Sequence, residues 1–434
     1  MRTGKRYCSW LGIAAFVLAG APAADAQPSL AQKVSTEPAK LGSLRQTRDV
    51  LIGVTDFAAA LDLAEGIVRA AEAQRDPHLT DDLLQLAHVQ AGLEDYDAAE
   101  VTYLRAIELR EAEKGIFAAE LIPAYHALGR AYIDAQRFDE ALAALDHARS
   151  LSQRNHGLFN LKQLELIDDM TRARLESGST RAAAKLQEER LETAIRHFGV
   201  DAPELVPFYN RLGDYYYGRL GDRYGDVPAH FLAHDQYVKA LEISSARSGD
   251  SSPESLDLLR RMTTVEMLFK QRRPTRDRLA AALETAADID AKERGLSLAV
   301  LGDWAIIQDD WASAQRYYGQ AYAALREAAG MDPTEVFATP VILDFLPPPP
   351  VGIGGPSGYF QWSWGTIELE VDVAADGRAT DVRAVSMEPR IADLQREYVE
   401  RIREARFRPR LEQGRPAAAA DASYTYKFRY YMRD

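Results

Sequence analysis

Apolar residues recur every three or four positions along residues 49–335, and short polar turns interrupt them at intervals. Because an α-helix has about 3.6 residues per turn, this spacing gathers apolar side chains on one face of a helix. The clearest segment, residues 122–148, predicts two antiparallel helices joined at Gln136 and Arg137. Gly129 in the first helix and Ala141 in the second are small enough to let the two backbones approach closely.

The hairpin recurs at intervals marked by a small residue of its second helix. Ala99, Ala141 and Ala183 are 42 residues apart, and Ala280 and Ala314 are 34 residues apart. The pattern therefore predicts several stacked hairpins. Besides residues 122–148, they are expected over residues 83–109, 166–195, 209–240, 264–287 and 298–321, with half a unit at 57–68 and an insertion at 218–228.

The hairpin at residues 122–148 resembles a tetratricopeptide repeat. The residues on its signature positions are Tyr125, Leu128, Gly129, Tyr132, Phe138, Ala141, Leu145 and Ala148. The resemblance implies an α-solenoid in which the first helix of each hairpin lines a concave binding surface. It also implies binding of a protein or peptide rather than catalysis.

By the same resemblance, polar side chains of the first helices would contact a partner. Three candidates come from the best hairpin and three from a later one: His126, Arg130, Asp134, Asn210, Asp214 and Tyr217. The alternative interpretation is that each side chain simply belongs to a solvated helix face. We therefore treat the six as candidate partner-binding residues.

A proline-rich stretch that includes Pro347–Pro350 separates the repeats from a different pattern. We expect residues 336–358 to form an extended linker with no packed core of its own. Residues 364–373 then alternate between apolar and acidic side chains, which predicts a half-buried strand. A second strand over 379–385, an amphipathic helix over 391–405 and a third strand over 424–431 complete a small α+β (ββαβ) domain.

The string VDVAADGRATDVRAVSMEP, the later EARFRP and the strand YTYKFRYY resemble the C-terminal domain of TonB, a periplasmic energy transducer of Gram-negative bacteria. The residues that carry the resemblance are Val371, Val373, Asp376, Gly377, Val382, Leu394, Phe407, Pro409 and Phe428. In that family the last strand accepts a peptide of an outer-membrane receptor by strand addition. The resemblance implies such an edge at Tyr424, Thr425, Tyr426, Lys427, Phe428 and Tyr430. Alternatively, the aromatic side chains of this strand simply cover the helix.

Residues 1–26 have the basic start, the apolar centre and the small-x-small end of a secretory signal peptide. We expect cleavage before Gln27, and an uncleaved inner-membrane anchor is the alternative. Cys8 is the only cysteine, so cleavage would leave no thiol. The predicted fold is mostly α: a signal peptide (1–26), a flexible segment (27–48), a tetratricopeptide repeat array (49–335), a proline-rich linker (336–358) and a TonB-like domain (359–434).

The sequence carries a net charge of −13, and loss of residues 1–26, whose charges sum to +2, would leave −15. An acidic chain disfavours nucleic acids and anionic membranes, because their phosphates attract basic surfaces. Residues 357–434 contain 13 basic and 13 acidic residues, so the acidic excess belongs to the repeats. Two surfaces of different charge suit two protein partners.

His230 and His234 stand one helical turn apart, but no third metal ligand accompanies them. No set of serine, histidine and carboxylate follows from the spacing either. We therefore expect no metal, no cofactor and no catalytic residue. The sequence predicts a periplasmic adaptor whose repeats bind one protein and whose TonB-like domain binds another. The alternatives are a TonB-type energy transducer for outer-membrane transport and a protein that binds or acts on the cell wall.

Overall fold

A computed structural model describes residues 38–224, 226–269, 275–286, 289–354 and 360–433. The predicted signal peptide and residues 27–37 lie outside the described residues. Of the helices within these ranges, none is both long and apolar enough to cross a membrane. The chain divides into two compact units, one ending at Thr102 and the other beginning at Tyr103.

The first unit is helical. It contains α1 (Pro38–Gly53), α2 (Phe57–Gln74), α3 (Leu79–Gly92) and the start of α4 (Tyr96–Lys114). Helix α1 is anchored by Leu41, which is fully buried, and by Arg45 and Arg48, which donate hydrogen bonds of 2.9 and 2.8 Å to the buried Asp82 carboxylate. The flexible segment predicted over residues 27–48 is therefore wrong from Pro38 onward, because Arg45 and Arg48 find their buried partner on α3, 37 and 34 residues along the chain.

The second unit continues with paired helices. They are α5 (Ile122–Asp134), α6 (Phe138–His156), α7 (Leu164–Glu176), α8 (Thr180–Phe198), α9 (Val206–Tyr217), α10 (Ala229–Ser248), α11 (Pro253–Met267), α12 (Thr275–Thr285), α13 (Ala291–Ile307) and α14 (Trp311–Glu327), followed by the short α15 (Pro333–Val336). We call α5, α7, α9, α11 and α13 the first helices. The predicted insertion between α9 and α10 holds two short antiparallel strands, β1 (Arg223–Tyr224) and β2 (Val227–Pro228).

Glycines set how closely the two helices of a hairpin pack. A Cβ atom on Gly129 would lie 2.6 Å from Leu145 Cγ, and its nearest backbone atom is the Ala141 carbonyl oxygen at 3.4 Å. Gly213 and Gly302 face the buried rings of tyrosines on α10 and α14 at still shorter distances. The close approach predicted from Gly129 and Ala141 is therefore present, since no larger residue fits at these positions.

The C-terminal region of the second unit is a four-stranded sheet with one helix against it. The order is β4 (Val351–Gly354), β10 (Ala419–Arg433), β5 (Phe360–Val373) and β6 (Ala379–Glu388), and the helix is α16 (Ala392–Glu404). Two smaller pairs are β3 (Val341–Ile342) with β7 (Phe407–Arg408), and β8 (Arg410–Glu412) with β9 (Arg415–Ala417). The core between sheet and helix is formed by Ile367, Leu369, Val371, Val373, Leu394, Tyr398, Ile402, Phe407 and Phe428.

The proline-rich stretch is packed rather than extended free of the protein. Leu343 and Phe345 are each 7% exposed and join the cores on either side. Strand β3 pairs with β7, and β4 pairs in parallel with the end of β10. The spacer predicted for residues 336–358 is therefore wrong over residues 341–354, because Leu343 and Phe345 fix the backbone between the prolines.

Strand β10 is not terminal in its sheet along its whole length. It pairs with β5 on one side from Ala419 to Arg433, and with β4 on the other side from Tyr430 to Arg433. The expected open edge is therefore covered at Tyr430. Residues 424–429 have β5 as their strand partner and no β4 pairing within the described residues.

Candidate partner-binding site

The candidate residues of α5 contact the next first helix, α7. His126 Nε2 lies 2.7 Å from Asp169 Oδ2, and Arg130 Nε lies 4.0 Å from the same oxygen. Asp134 forms an ion pair of 3.2 Å with Arg172. Burial opposes ionisation of Asp169, but the hydrogen bond to His126 and the neighbouring arginines outweigh it, so the pKa of this carboxyl lies below its ordinary value.

Similar pairs join the following first helices. Asp168 on α7 lies 2.7 Å from Arg211 on α9 and 3.1 Å from Arg190 on α8. Asp214 on α9 forms an ion pair with Arg261 on α11. Arg260 on α11 then pairs with Glu293 on α13 at 3.0 Å.

We call this series of contacts the first-helix ion-pair ladder. His126, Arg130, Asp134 and Asp214 belong to it, so their first role is to hold neighbouring hairpins together rather than to remain free for a partner. Two side chains remain largely accessible, since those of Arg130 and Asp134 are 62% and 51% exposed. Whether they also contact a partner stays a prediction.

The other two candidates of α9 lie outside the ladder. Asn210 Oδ1 is buried without a hydrogen-bond partner among the described residues. Tyr217 ends α9 and is 37% exposed. Tyr217 lies in a cleft of about 410 Å³ together with Trp364 of β5 and residues 425–429 of β10. The structure thus brings one predicted groove residue together with the predicted strand edge.

The strand residues divide by face. Tyr426 is paired with Ile367 and Tyr424 with Leu369, so the even-numbered aromatic residues of β10 share the face that packs on α16. The Tyr424 hydroxyl donates a hydrogen bond of 2.8 Å to the Pro340 carbonyl. Burial raises the pKa of Tyr424 and of Tyr426. Their side chains cover the helix, as the alternative interpretation proposed.

Thr425 and Lys427 point to the opposite face and line the cleft with Pro347 and Pro348. Along this stretch no strand among the described residues pairs with β10 on the side away from β5. Tyr430 lies beyond this stretch, where β4 pairs with β10. The predicted strand-addition edge is thereby shortened to residues 424–429.

The C-terminal region contacts the ends of several first helices. Trp364 Nε1 donates to the Leu175 carbonyl at 3.3 Å, at the end of α7. Arg429 donates to the Gly178 carbonyl at 3.2 Å and to the Asp222 carboxylate at 2.7 Å. These contacts position β5 and β10 against the turns that follow α7 and α9.

A deeper contact joins β7 to the last first helix. Arg408 Nε donates to Asp303 Oδ1 at 2.7 Å, and a second nitrogen of the same guanidinium binds Oδ2. Asp303 is 3% exposed, and it also accepts a hydrogen bond of 2.9 Å from Tyr318. Burial of Arg408 disfavours its charge, but Asp303 outweighs burial and the pKa of the guanidinium is raised.

The same arrangement occurs in an earlier hairpin. There Asp214 accepts a hydrogen bond of 2.7 Å from Tyr237 and pairs with Arg261 of the next first helix. In both hairpins a glycine precedes the aspartate and faces the ring of that tyrosine. Arg408 therefore pairs with Asp303 in the way that Arg261, on the next first helix, pairs with Asp214.

Sequence reasoning missed most of these partners. Asp169, Arg172, Arg211, Arg261 and Arg408 were not among the candidates. A signal for Asp169, Arg172 and Arg261 was available, because the ninth residue of α5, α7 and α11 is arginine and acidic residues occupy neighbouring first-helix positions. Nothing local marked Arg408.

The two histidines of α10 have separate surroundings. His234 Nε2 lies 3.0 Å from Glu266 Oε1, which also accepts a hydrogen bond from Thr275. His230 is buried, and burial lowers its pKa. Within the described ranges no three histidine, cysteine or carboxylate side chains converge in a way that could hold a metal ion.

Comparisons with known proteins agree with the repeat pattern. The family model of the tetratricopeptide repeat matches residues 79–154. No curated protein matches the sequence.

Several solved structures are similar to parts of the chain. TPR-like repeats assigned to a kinesin light chain of Podosopora anserina show 15% identity and a TM-score of 0.39, covering 49% of this chain and 98% of that one. BtubC (BKLC) from P. vanneervenii shows 20% identity and a TM-score of 0.35, covering 64% and 93%. PilF of Pseudomonas aeruginosa shows 14% identity and a TM-score of 0.31, covering 69% and 96%.

The predicted tetratricopeptide repeat is confirmed for residues 79–154. The hairpins from α5 to α14 continue the same arrangement of paired helices with small residues at their contacts. Repeats of this kind indicate a role in protein–protein interaction. The chain thus contains tetratricopeptide repeats followed, in the same compact unit as α5–α14, by a strand-rich region with one helix.

Proposed function

We propose that the chain is an exported adaptor of the bacterial periplasm that binds one protein through its first helices and an extended segment of another along β10. The observation that carries the proposal is the run of tetratricopeptide hairpins, which begins in the matched residues 79–154. In this reading the protein binds and does not catalyse.

The first helices support the first half of the proposal. Their ladder places charged side chains of both signs along one series of helices, with Arg130, Asp134 and Asp214 about half exposed or more. A partner can form its own ion pairs with these groups while the hairpins stay in register. Charge complementarity of this kind favours specificity and fast association more than affinity.

The C-terminal region supports the second half by its resemblance to the TonB domain. Among the described residues, no strand pairs with the second side of β10 at residues 424–429, and a peptide added there would form main-chain hydrogen bonds. Pro347, Pro348 and Trp364 flank the cleft and would contact its side chains. Because Arg408 and Arg429 fasten the sheet to the repeats, the two binding surfaces would be held together rather than joined by a loose tether.

The two surfaces can be tested separately by recovering proteins from envelope extract with the full purified chain. An Arg130→Ala/Asp134→Ala variant should lose the proteins bound by the first helices, because these two side chains of α5 are 62% and 51% exposed and lie outside the cleft beside β10. A Thr425→Pro variant should lose those bound along β10, because proline lacks the main-chain donor. Asp146→Ala, on the exposed surface of α6, serves as the matched control.

Each variant is first checked for native helix content by circular dichroism. Recovery of the same proteins by the wild type and by both folded variants would refute the proposal. Should Thr425→Pro perturb the sheet, Lys427→Asp alters the same cleft without changing the main chain and should give the same loss.

The compartment has its own test. Mass measurement of the purified periplasmic form should give a chain that begins at or near Gln27. A chain that keeps Met1 and is recovered with the inner membrane would contradict export as a freed protein.

A further inference from the structure

Three of the loops that join one hairpin to the next share a sequence frame. Each begins with a glycine of positive φ: 88° at Gly115, 95° at Gly157 and 97° at Gly199. These glycines are 42 residues apart, so positions in different loops can be aligned by counting from them. The second helix of the hairpin that follows each loop ends just before the next glycine, so its residues can be aligned by counting back from that glycine.

In the first two loops the second residue after the glycine is a phenylalanine covered by an arginine. The guanidinium of Arg154 lies 4.0 Å from the centre of the Phe117 ring. That of Arg196 lies 5.7 Å from the Phe159 ring, and Glu192 holds this arginine through a contact of 2.7 Å. Stacking of a cation on an aromatic face stabilises both groups.

The third loop lacks both members of this stack. Its second residue after Gly199 is Asp201. The arginine position, three residues before the glycine that ends the helix, is Ala246 on α10. The carboxylate corresponding to Glu192 is still present as Glu242.

A cleft of about 580 Å³ lies at this place. It is lined by the buried Tyr209 ring, with Lys239 Nζ at 5.7 Å from the ring centre, and by Ile243. Asp201 and Glu242 line it with carboxylates, and Lys239 and Arg247 line it with cations. The third loop therefore has a cleft where the earlier loops have their stacked phenylalanine and arginine.

We propose that this cleft binds a segment of a partner protein that carries a phenylalanine beside an arginine. The partner's ring lies over Tyr209 and Ile243, beside Asp201, which stands at the loop position that is phenylalanine in the earlier loops. Its guanidinium lies between Glu242 and Asp201, as Arg196 lies against Glu192 in α8. The inference rests on the proposed role as a protein-binding array, and it adds an anchor distinct from the first helices and from β10.

The probe is acetyl-Phe-Arg-amide, titrated against the purified full chain by ligand-observed NMR. It should bind about tenfold more tightly than acetyl-Ala-Arg-amide, because the buried ring contributes at least the 1.4 kcal/mol that a factor of ten represents. It should also bind more tightly than acetyl-Phe-Glu-amide, whose carboxylate would face Asp201 and Glu242. Equal binding of the three peptides, or no binding of the first, would overturn the proposal.

Three variants locate the site. Asp201→Phe/Ala246→Arg restores the internal stack of the other loops and should abolish probe binding. Ala246→Arg alone, at an exposed helical position, should weaken binding by about tenfold even if the double variant fails to fold. Phe159→Ala/Arg196→Ala removes the stack from the second loop and should create a second binding site for the probe.

Unchanged probe binding by both filled variants would place the probe elsewhere and refute the proposal. Sedimentation of the purified chain tests the other possible occupant, which is a second copy of the chain. Self-association that Asp201→Phe/Ala246→Arg abolishes would identify a second copy of the chain, offering Phe117 or Phe159, in place of a different protein. Since probe binding uses purified protein alone, it can fail while recovery of envelope partners succeeds, and the reverse holds as well.

Discussion

The hairpins α9/α10 and α13/α14 contain the same arrangement and differ in how deeply it is buried. In both, an aspartate after a glycine binds a tyrosine of the second helix and one arginine. At α9 the side chains of Asp214 and Arg261 are 49% and 36% exposed. At α13 those of Asp303 and Arg408 are 4% and 14% exposed. The difference follows from the source of the arginine, which is the next first helix in one case and strand β7 in the other.

The comparison shows what the C-terminal region does for the repeats. A solenoid ends with a hairpin whose outer side has no further repeat to cover it, so its last unit needs a cap. Strand β7 supplies the arginine that α15, only four residues long, does not supply. Leu411 of β8 and Phe337 join the same core as Tyr318. The strand-rich region therefore covers the end of the array.

Replacing Arg408 and Arg261 by alanine, one at a time, should give the largest difference in stability between the two hairpins. Arg408→Ala leaves Asp303 charged, buried and without its cation, which should lower the free energy of unfolding by about 3–5 kcal/mol. Arg261→Ala breaks a pair that water can replace, and the loss should be about 1 kcal/mol or less. Urea unfolding of the full chain, followed by circular dichroism and tryptophan fluorescence, measures both.

Equal losses for the two variants would contradict the proposed cap. Asp303→Asn combined with Arg408→Ala is the matched control, because it removes the unpaired charge. This double variant should recover part of the stability lost in Arg408→Ala. If it is no more stable than the single variant, burial of an uncompensated charge is not the cause.

The glycines test what the two hairpins have in common. A Cβ atom at Gly302 would lie 2.5 Å from Tyr318 Cε1, and one at Gly213 would lie 2.4 Å from Tyr237 Cε1. Gly302→Ala and Gly213→Ala should each cost about 1–3 kcal/mol, since both rings are buried and cannot move aside easily.

Gly319 provides the control for these substitutions. It lies in α14 with no atom within 4 Å of an added Cβ, so Gly319→Ala should instead raise the stability by about 0.5–1 kcal/mol through helix propensity. Thermal unfolding of the three variants is the measurement. A stabilising effect of Gly302→Ala would mean that Tyr318 is not held in place by its hydrogen bond to Asp303.

The sequence predicts those parts of the fold that depend on patterns among residues close together in the chain. Gly129 and Ala141 indicate a close helix contact because both are small and face each other in helices joined by one turn. The alternation at Ile367 and Leu369 likewise marks a strand with one buried face, and the structure places both in the core. Such signals need only a few neighbouring residues.

The contacts that the sequence does not predict join distant residues. Arg408 and Asp303 are 105 residues apart, and no sequence pattern near either residue indicates that the two pair. The packing of residues 341–354 is hidden from sequence for the same reason, since Leu343 and Phe345 join cores whose other members lie on α13 and in the sheet. Of the candidate site residues, His126 and Asp134 were chosen correctly as first-helix positions, but their ion-pair partners on α7 required the stacking to be known.

The smallest predicted effect concerns the exposed ladder on α5 and α7 and its dependence on pH. The pKa of Asp169 in the folded protein is below the ordinary carboxyl value of 3.8, so this group stabilises the fold at pH values above 3.8. That contribution is lost as the pH falls through the lower folded-state pKa, because the carboxyl is then protonated in both states. Asp169→Asn should therefore reduce stability at pH 7 and show a shallower loss between pH 7 and pH 3 than the wild type. Asp146→Asn, an exposed carboxylate of α6, should leave the wild-type profile unchanged. Urea unfolding at a series of pH values measures all three proteins, and parallel profiles for Asp169→Asn and the wild type would show that the contact with His126 does not stabilise the ladder.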